Sequence, residues 1–221
     1  MTRTRIRALI RKRLGETTSS FWTDTELNDW IDDAGRQVAY ETKCIKTSGD
    51  VTSVESTGEY TITSSLTSPV SVLAIWFYQE GKTWVKLTKT TKDRLSADNR
   101  GWKSANDSTP ISYYASMEED ILGLYPKPNS TNAGTDYMDV EYAKTYTNMT
   151  SDSDNPTGIP DTLQKAIVDY VAALGFETRG YGDKGNDAMS KYDKKIAKYQ
   201  IERDKENEAD DDTPMRNYRN K

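Results

Sequence analysis

The chain contains no histidine and a single cysteine, Cys44, in 221 residues. The first absence removes the commonest general base and the commonest metal ligand together. The second excludes an intramolecular disulfide and fits a reducing compartment. Long apolar runs are missing as well: none approaches the roughly 18 residues that span a bilayer. The N-terminus is as basic as a signal peptide, but Arg7, Arg11 and Arg13 interrupt its apolar centre. An arginine-rich transit peptide is a closer rival for that stretch, yet a well-capped second helix follows it directly. No glycine-rich phosphate loop and no nucleophile elbow is present. Cys44 has no histidine to activate it, and no pair of carboxylates sits in a readable cleft. The expectation is a protein that is not an enzyme and that takes neither cofactor nor metal.

Apolar residues are scarce: 34% of the chain against 29% charged. A globular chain usually reaches about 45–50%, glycine included. Fourteen tyrosines and five tryptophans compensate in part, because they bury large areas while keeping a polar tip wet. Such a composition suits a protein that completes its burial against partners. The net charge of −5 is unevenly spread. Residues 1–14 carry no acid, residues 202–212 are mostly acidic, and Arg216, Arg219 and Lys221 make the end basic again. Charged docking at both ends is one reading of this asymmetry, and solvated surface is the other.

Four helices are expected, two near each end. In the first, from about Thr4 to Leu14, Ile6, Leu9, Ile10 and Leu14 recur at helical spacing, and Gly15 supplies a C-terminal cap. The second starts at Thr23, where Glu26 completes a capping box, and runs to about Lys43 with Leu27, Trp30, Ile31, Ala34 and Val38 on one stripe. From roughly Thr47 to Thr157 the period changes to alternation. Strands are expected at Glu59–Thr63, Val70–Gln79, Thr83–Lys89, Ile111–Ser116, Ile121–Tyr125 and Tyr137–Tyr146. A tight hairpin is expected at Glu80-Gly81 and a short helix at Thr91–Ala97. The apolar run at Val70 fits a strand covered on both faces. Pro160 and Asp161 then open a third helix with Leu163, Ala166, Ile167, Tyr170, Val171 and Leu174 on its stripe. After a glycine-punctuated loop, Arg179 to Asn186, a fourth carries Met189, Tyr192, Ile196 and Tyr199.

The fold class is therefore α+β. A helical bundle is built from N- and C-terminal helix pairs (1–46 and 159–206). An antiparallel sheet or small sandwich is inserted between them (47–158), and an extended tail follows (207–221).

Three segments carry a resemblance to a known family. The first is the opening pair, Leu9 through Leu14-Gly15 and then Phe21-Trp22-Thr23-Asp24-Thr25-Glu26-Leu27 through Trp30-Ile31 to Ala34. The second is Thr109-Pro110 to Tyr114, followed by Leu124-Tyr125-Pro126-Lys127-Pro128 and a tyrosine-rich strand ending at Tyr142. The third is Ile159-Pro160 leading into Leu163–Leu174 and a tyrosine-bearing last helix. In this order they resemble the head-to-tail adaptor proteins of tailed bacteriophages, although Ser108 stands where a glycine is more usual. The resemblance implies a ring of twelve copies docked on the portal protein. It implies a β region facing the tail side or the ring exterior, and a C-terminal extension reaching the portal or a neighbouring subunit.

Within that frame the tail residues Pro214, Met215, Arg216, Tyr218 and Arg219 are candidates for docking, since an extended segment can add a strand to a partner's sheet edge. The basic first helix, with Arg3, Arg7, Arg11 and Arg13, is a second candidate surface for acidic groups of the portal or of the adjacent subunit. Glu118, Glu119 and Asp120 are candidates for a channel-lining or tail-facing cluster, or for an ordinary polar hairpin turn. Asp152-Ser153-Asp154-Asn155 lacks the closing glutamate of a calcium loop and is set aside. The five tryptophans are assigned to core or subunit contacts.

The expected function is a structural virion protein at the head–tail neck. It would assemble in the host cytoplasm, bind portal, tail or nozzle proteins and itself, and pass genome DNA through its lumen without sequence-specific contacts. No membrane is involved. The alternative is a β-sandwich carbohydrate-binding tail component whose aromatics are exposed platforms.

Overall fold

The computed structural model describes residues 1–16, 21–78, 84–98, 101–104 and 108–211. Helices α1 (Arg3–Leu14) and α2 (Asp24–Thr42) come first. They are followed by strands β1 (Lys46–Ser53) and β2 (Glu59–Thr61), the single turn α3 (Ile62–Ser65), β3 (Pro69–Tyr78), β4 (Trp84–Lys86) and β5 (Thr88–Lys89). Helix α4 (Lys92–Asp98), β6 (Ser112–Ser116), β7 (Ile121–Tyr125) and β8 (Gly134–Lys144) complete the middle, and α5 (Asp161–Thr178) and α6 (Gly182–Asp211) follow. The fold is mixed α+β, with six helices and two sheets among the described residues. No described helix is long and apolar enough to cross a membrane.

The described residues divide into a helical unit (1–45 and 145–211) and a β unit (46–144). In the helical unit most of each stripe read from the sequence is buried, while Leu9, Trp30, Tyr170, Leu174, Met189 and Tyr199 are half-buried. Ile6 and Ile10 of α1, Leu27, Ile31, Ala34 and Val38 of α2, Ala166, Ile167 and Val171 of α5, and Tyr192 and Ile196 of α6 join one apolar cluster. Full burial of each large aliphatic side chain contributes about 1.5–3 kcal/mol. The ends are fixed locally. Thr23 and Glu26 close the capping box on α2, and Gly15 ends α1 in the left-handed region at φ 73°. Close packing demands glycine at Gly35, where a Cβ would lie 2.8 Å from the Tyr146 ring, and at Gly175, where it would lie 2.8 Å from Leu14.

Two helix boundaries differ from expectation. The loop before α6 is only Arg179–Tyr181, because Gly185 lies within the helix, where a Cβ would meet the Ala173 carbonyl at 3.4 Å. Ala172, Ala173 and Ala188 form a small patch between α5 and α6, so small residues let these helices approach. Helix α6 also continues to Asp211, so residues 207–211 are helical where an extended tail was expected. No glycine or proline interrupts the chain before Pro214, and Glu and Ala favour helix.

The β unit holds two four-stranded sheets, ordered β1-β8-β3-β4 and β2-β7-β6-β5. All described pairings are antiparallel except β5 with β6. Val72, Ile75, Phe77, Met138 and Val140 of the first sheet share a core with Tyr113, Leu122 and Leu124 of the second.

Several strands depart from the expected pattern. β1 carries almost no apolar signal. It exists because it pairs with β8 from Lys46 opposite Ala143 to Val51 opposite Met138. The strand expected to reach Thr63 stops at Thr61. Ile62 turns inward fully buried, and the Asp120 carboxylate accepts the Thr63 backbone N–H at 2.8 Å and hydroxyl at 2.6 Å. The strand expected over Thr83–Lys89 breaks at buried Leu87, leaving β4 on one sheet and β5 on the other. In β3, Val72, Ala74, Ile75 and Phe77 are buried while Leu73, Trp76 and Tyr78 are half-buried, so burial is uneven along what read as a doubly covered run. The expected Glu80-Gly81 hairpin lies outside the described residues.

Candidate docking surfaces

Helical spacing puts Arg3, Arg7 and Arg11 on one edge of α1, and the structure meets each with acids of the same chain. Arg3 Nη2 lies 2.8 Å from Asp32 Oδ2, in a pair whose side chains are about a tenth exposed or less. The other oxygen of Asp32 accepts the Met149 backbone N–H at 3.1 Å. Arg7 grips Asp152 with two donors at 3.0 Å and also reaches Asn28 Oδ1 at 3.0 Å. Arg11 holds Glu16 at 2.9 Å, Asp24 at 2.6 Å and the Trp22 carbonyl at 2.9 Å.

The fourth arginine, Arg13, binds the fully buried carboxylate of Asp169 on α5, which also receives Lys195 of α6. The docking role expected for this set therefore has to reckon with charges already answered inside the chain. Arg5, Lys12 and Arg13 are the cations that α1 leaves exposed. Asp169 is a partner that the sequence pattern does not single out. Its only signal was an acid lodged among Ile167, Val168, Tyr170 and Val171.

The electrostatics follow from this wiring. The hydrogen bond from Arg7 holds Asp152 below the usual carboxylate range. Backbone N–H groups of Ser151 and Thr150 do the same for Asp154. The 150–154 segment is thus a turn stapled to α1. Burial pushes the Lys195 ammonium down, aided by Arg13, Lys191 and Lys165 nearby.

The three carboxylates between β6 and β7 are separated in role. Glu118 is exposed. Glu119 pairs with Lys92 at 2.6 Å. Asp120, at φ 55°, anchors Thr63 as described. Close by, a cavity of about 260 Å³ is lined by Trp102, Tyr114 and Tyr125 with Glu59, Lys103 and Lys127. Trp102 meets Tyr114 edge-on at 5.7 Å, and the Tyr114 hydroxyl donates to Glu59. Burial, reinforced by Glu59, pushes that phenol up. Gly123 makes room for it, since a Cβ there would lie 2.0 Å from the Tyr114 ring. Among the described residues no group of three or more Cys, Asp or Glu is placed to hold a metal ion.

Apolar side chains also stand in solvent. On the helical unit, Phe21 and Tyr181 are more than half exposed. The Arg179 guanidinium lies 4.5 Å from the Phe21 ring centre, and the Lys184 ammonium 5.2 Å from that of Tyr181. Tyr40 and Ile201 are exposed on the same unit, and Val54 and Ile111 on the β unit. Of the tryptophans, Trp22 and Trp102 are buried and Trp30, Trp76 and Trp84 half-buried. The tail candidates Pro214, Met215, Arg216, Tyr218 and Arg219 lie outside the described residues.

No curated protein matches the chain. A family model does, that of the SU10 adaptor protein, over residues 1–217. The match spans both helix pairs, the β unit and most of the tail, so it concerns the whole architecture rather than one motif: the chain belongs to the SU10 adaptor protein family and is a bacteriophage adaptor-type structural protein.

Proposed function

We propose that the protein is a head-to-tail adaptor of the virion neck. Twelve copies would form a ring under the portal, extend the DNA channel and present a platform to tail or nozzle proteins. The family match over residues 1–217 carries this reading. The exposed Phe21, Tyr40, Tyr181 and Ile201 are available to a partner, which is compatible with this reading. Its chemistry is assembly, not turnover. Head-to-tail contacts between copies close into a ring, and the tail adds to a portal or neighbour through Met215 and Tyr218 with Arg216 and Arg219 at its flanks. A ring offers many tails at once, which offsets the ordering cost of each. DNA crosses a lumen of net negative subunits without being held.

The test is to mix the chain with the purified portal of its phage and image the product. A ring seated on the portal is the expected result, and deletion of Thr213–Lys221 weakens attachment while helical content stays unchanged. A chain that remains solitary at saturating portal contradicts the proposal.

One observation favours the second reading, a glycan-binding tail component. The Trp102–Tyr114–Tyr125 cavity offers aromatic walls beside Glu59 and two lysines. Saturable quenching of tryptophan fluorescence by one sugar class would select it. A flat titration rejects it.

A further inference from the structure

Helix α6 carries two opposed blocks of charge that it holds apart. The first is basic and is completed by neighbouring helices. Lys191, Lys194 and Lys195 lie on α6, Lys165 on α5 and Arg13 on α1. Arg13 and Lys195 share the buried Asp169, and Lys191 sits 2.5 Å from Asp187. The group is tight enough that Arg13, Lys191 and Lys165 all act on Lys195, and Lys194 and Arg13 on Asp187. Five cations thus face two carboxylates, one of them fully buried, on a chain whose net charge is −5. The side chains of Lys191 (52%), Arg13 (39%) and Lys195 (32%) all reach solvent.

The second block is the end of the same helix. From Glu206 to Asp211 the sequence places four acids, Glu206, Glu208, Asp210 and Asp211, and no base. Lys191 and Glu206 are fifteen residues apart, which is about 22 Å along an α-helix. That is more than two screening lengths at physiological salt, where the Debye length is about 8 Å. A continuous α6 therefore cannot lay its acidic end on its own basic face, whereas the α6 of a second copy can.

We propose that the acidic end of α6 from one copy docks on the Arg13–Lys165–Lys191–Lys195 face of the next. The two surfaces are different patches of one chain, so the contact is heterologous and repeats in one sense, as a ring requires. The inference rests on the ring reading above and adds which surfaces meet. DNA phosphate is the rival occupant of the basic face. The acidic helix end is opposite in sign to this face and is present on every neighbouring copy of a ring, which favours it over DNA.

Charge exchange tests the contact. Complete rings formed on purified portal are counted for wild type, for Lys165→Glu with Lys191→Glu, for Glu206→Lys with Glu208→Lys, and for all four changes together. None of these residues is a partner of Asp169. Each pair alone should cut complete rings by about tenfold or more, and the combination should restore them to within about twofold of wild type. If the basic-face pair loses helical signal, Lys165→Gln with Lys191→Gln replaces it, with a smaller but measurable loss expected. Undiminished rings in either single pair, or a combination no better than its parts, overturns the contact while leaving the adaptor reading intact. Duplex DNA retained by wild type and lost by the basic-face pair, with ring counts unchanged, assigns the face to phosphate instead. Wild-type chain that builds no ring on portal removes both proposals.

Discussion

Arg3, Asp32 and Asp169 are each less than a tenth exposed, and all three belong to the helical unit. The polar groups that the β unit buries to the same degree among the described residues, Ser53 and Asn132, carry no charge, and its large buried polar side chains include the phenols Tyr113, Tyr114 and Tyr142. Its ion pairs among the described residues lie at the surface, from Lys92 to Glu119 and Glu59 and from Arg94 to Asp98. The two units therefore specify themselves by different means. A buried ion pair contributes little net stability, but losing one partner leaves the other stranded at high cost. The arginine row of α1 thus fixes which edge of that helix meets α2, α5 and the 150–154 turn. In the β unit the backbone ladders and the fit of a phenol over a glycine perform the same task without charge.

The largest break of this contrast comes from Asp32→Ala. It leaves Arg3 buried and the Met149 N–H without its acceptor, and a loss of about 3–5 kcal/mol is expected. Urea unfolding followed at 222 nm, where the helical unit dominates, reads it, and a change under about 1 kcal/mol contradicts the buried-pair account. Next comes Gly123→Ala in the β unit, where the new methyl collides with the Tyr114 ring. Overpacking of this kind costs about 1–3 kcal/mol. The near-ultraviolet signal of Trp102, which packs on that ring, should move while the 222 nm helical signal holds. A smaller effect is expected from Thr23→Ala, which removes the hydroxyl acceptor of the α2 capping box, about 1 kcal/mol in the same urea experiment.

The smallest prediction concerns pH and separates the units at the acid end, since burial raises phenols in both units, Tyr113 and Tyr114 in one and Tyr146 and Tyr192 in the other. Asp152, held low by Arg7, Asp154, held low by backbone N–H groups, and Asp187, held low by Lys191, all lie in the helical unit. Their contribution is fully present above the unfolded carboxylate pKa near 4 and fades as pH falls through the lower folded values. Tyr113 of the β unit is pushed up by burial to about 12. Its contribution is present below the unfolded value of about 10 and is lost as pH rises through the folded one. Acid should therefore loosen the helical unit first, seen by circular dichroism. Tyrosine absorbance should show a class of phenols, Tyr113 and Tyr114 of the β unit with Tyr146 and Tyr192 of the helical unit, that ionises only well above pH 10. Simultaneous loss of both signals in acid would blur the distinction.

How far each unit could be read beforehand follows from the same physics. The stripes of α1, α2, α5 and α6 were legible because a single buried face writes a 3.6-residue period, and the capping box at Thr23 and the cap at Gly15 are local chemistry. The boundary at Gly182 was not, since whether Gly185 breaks a helix depends on Ala173 lying against it. β1 was invisible because its residues are mostly polar, and its existence rests on a partner strand about ninety residues away. The split at Leu87 likewise depends on two sheets competing for one segment. Among site residues, the charge of α1 was plain but its partners Asp32, Asp152 and Asp169 were not, because ion pairing joins positions that sequence spacing keeps far apart. Residues of the proposed assembly contacts are the least legible, since the surfaces that would meet belong to different molecules.

The reading of this chain as a neck adaptor is tested most directly by reconstructing the mature virion by cryo-electron microscopy. The expected result is a ring beneath the portal whose repeating density takes the α1–α2 and α5–α6 pairs and the two-sheet unit. A well-resolved neck with no density for this chain would contradict it.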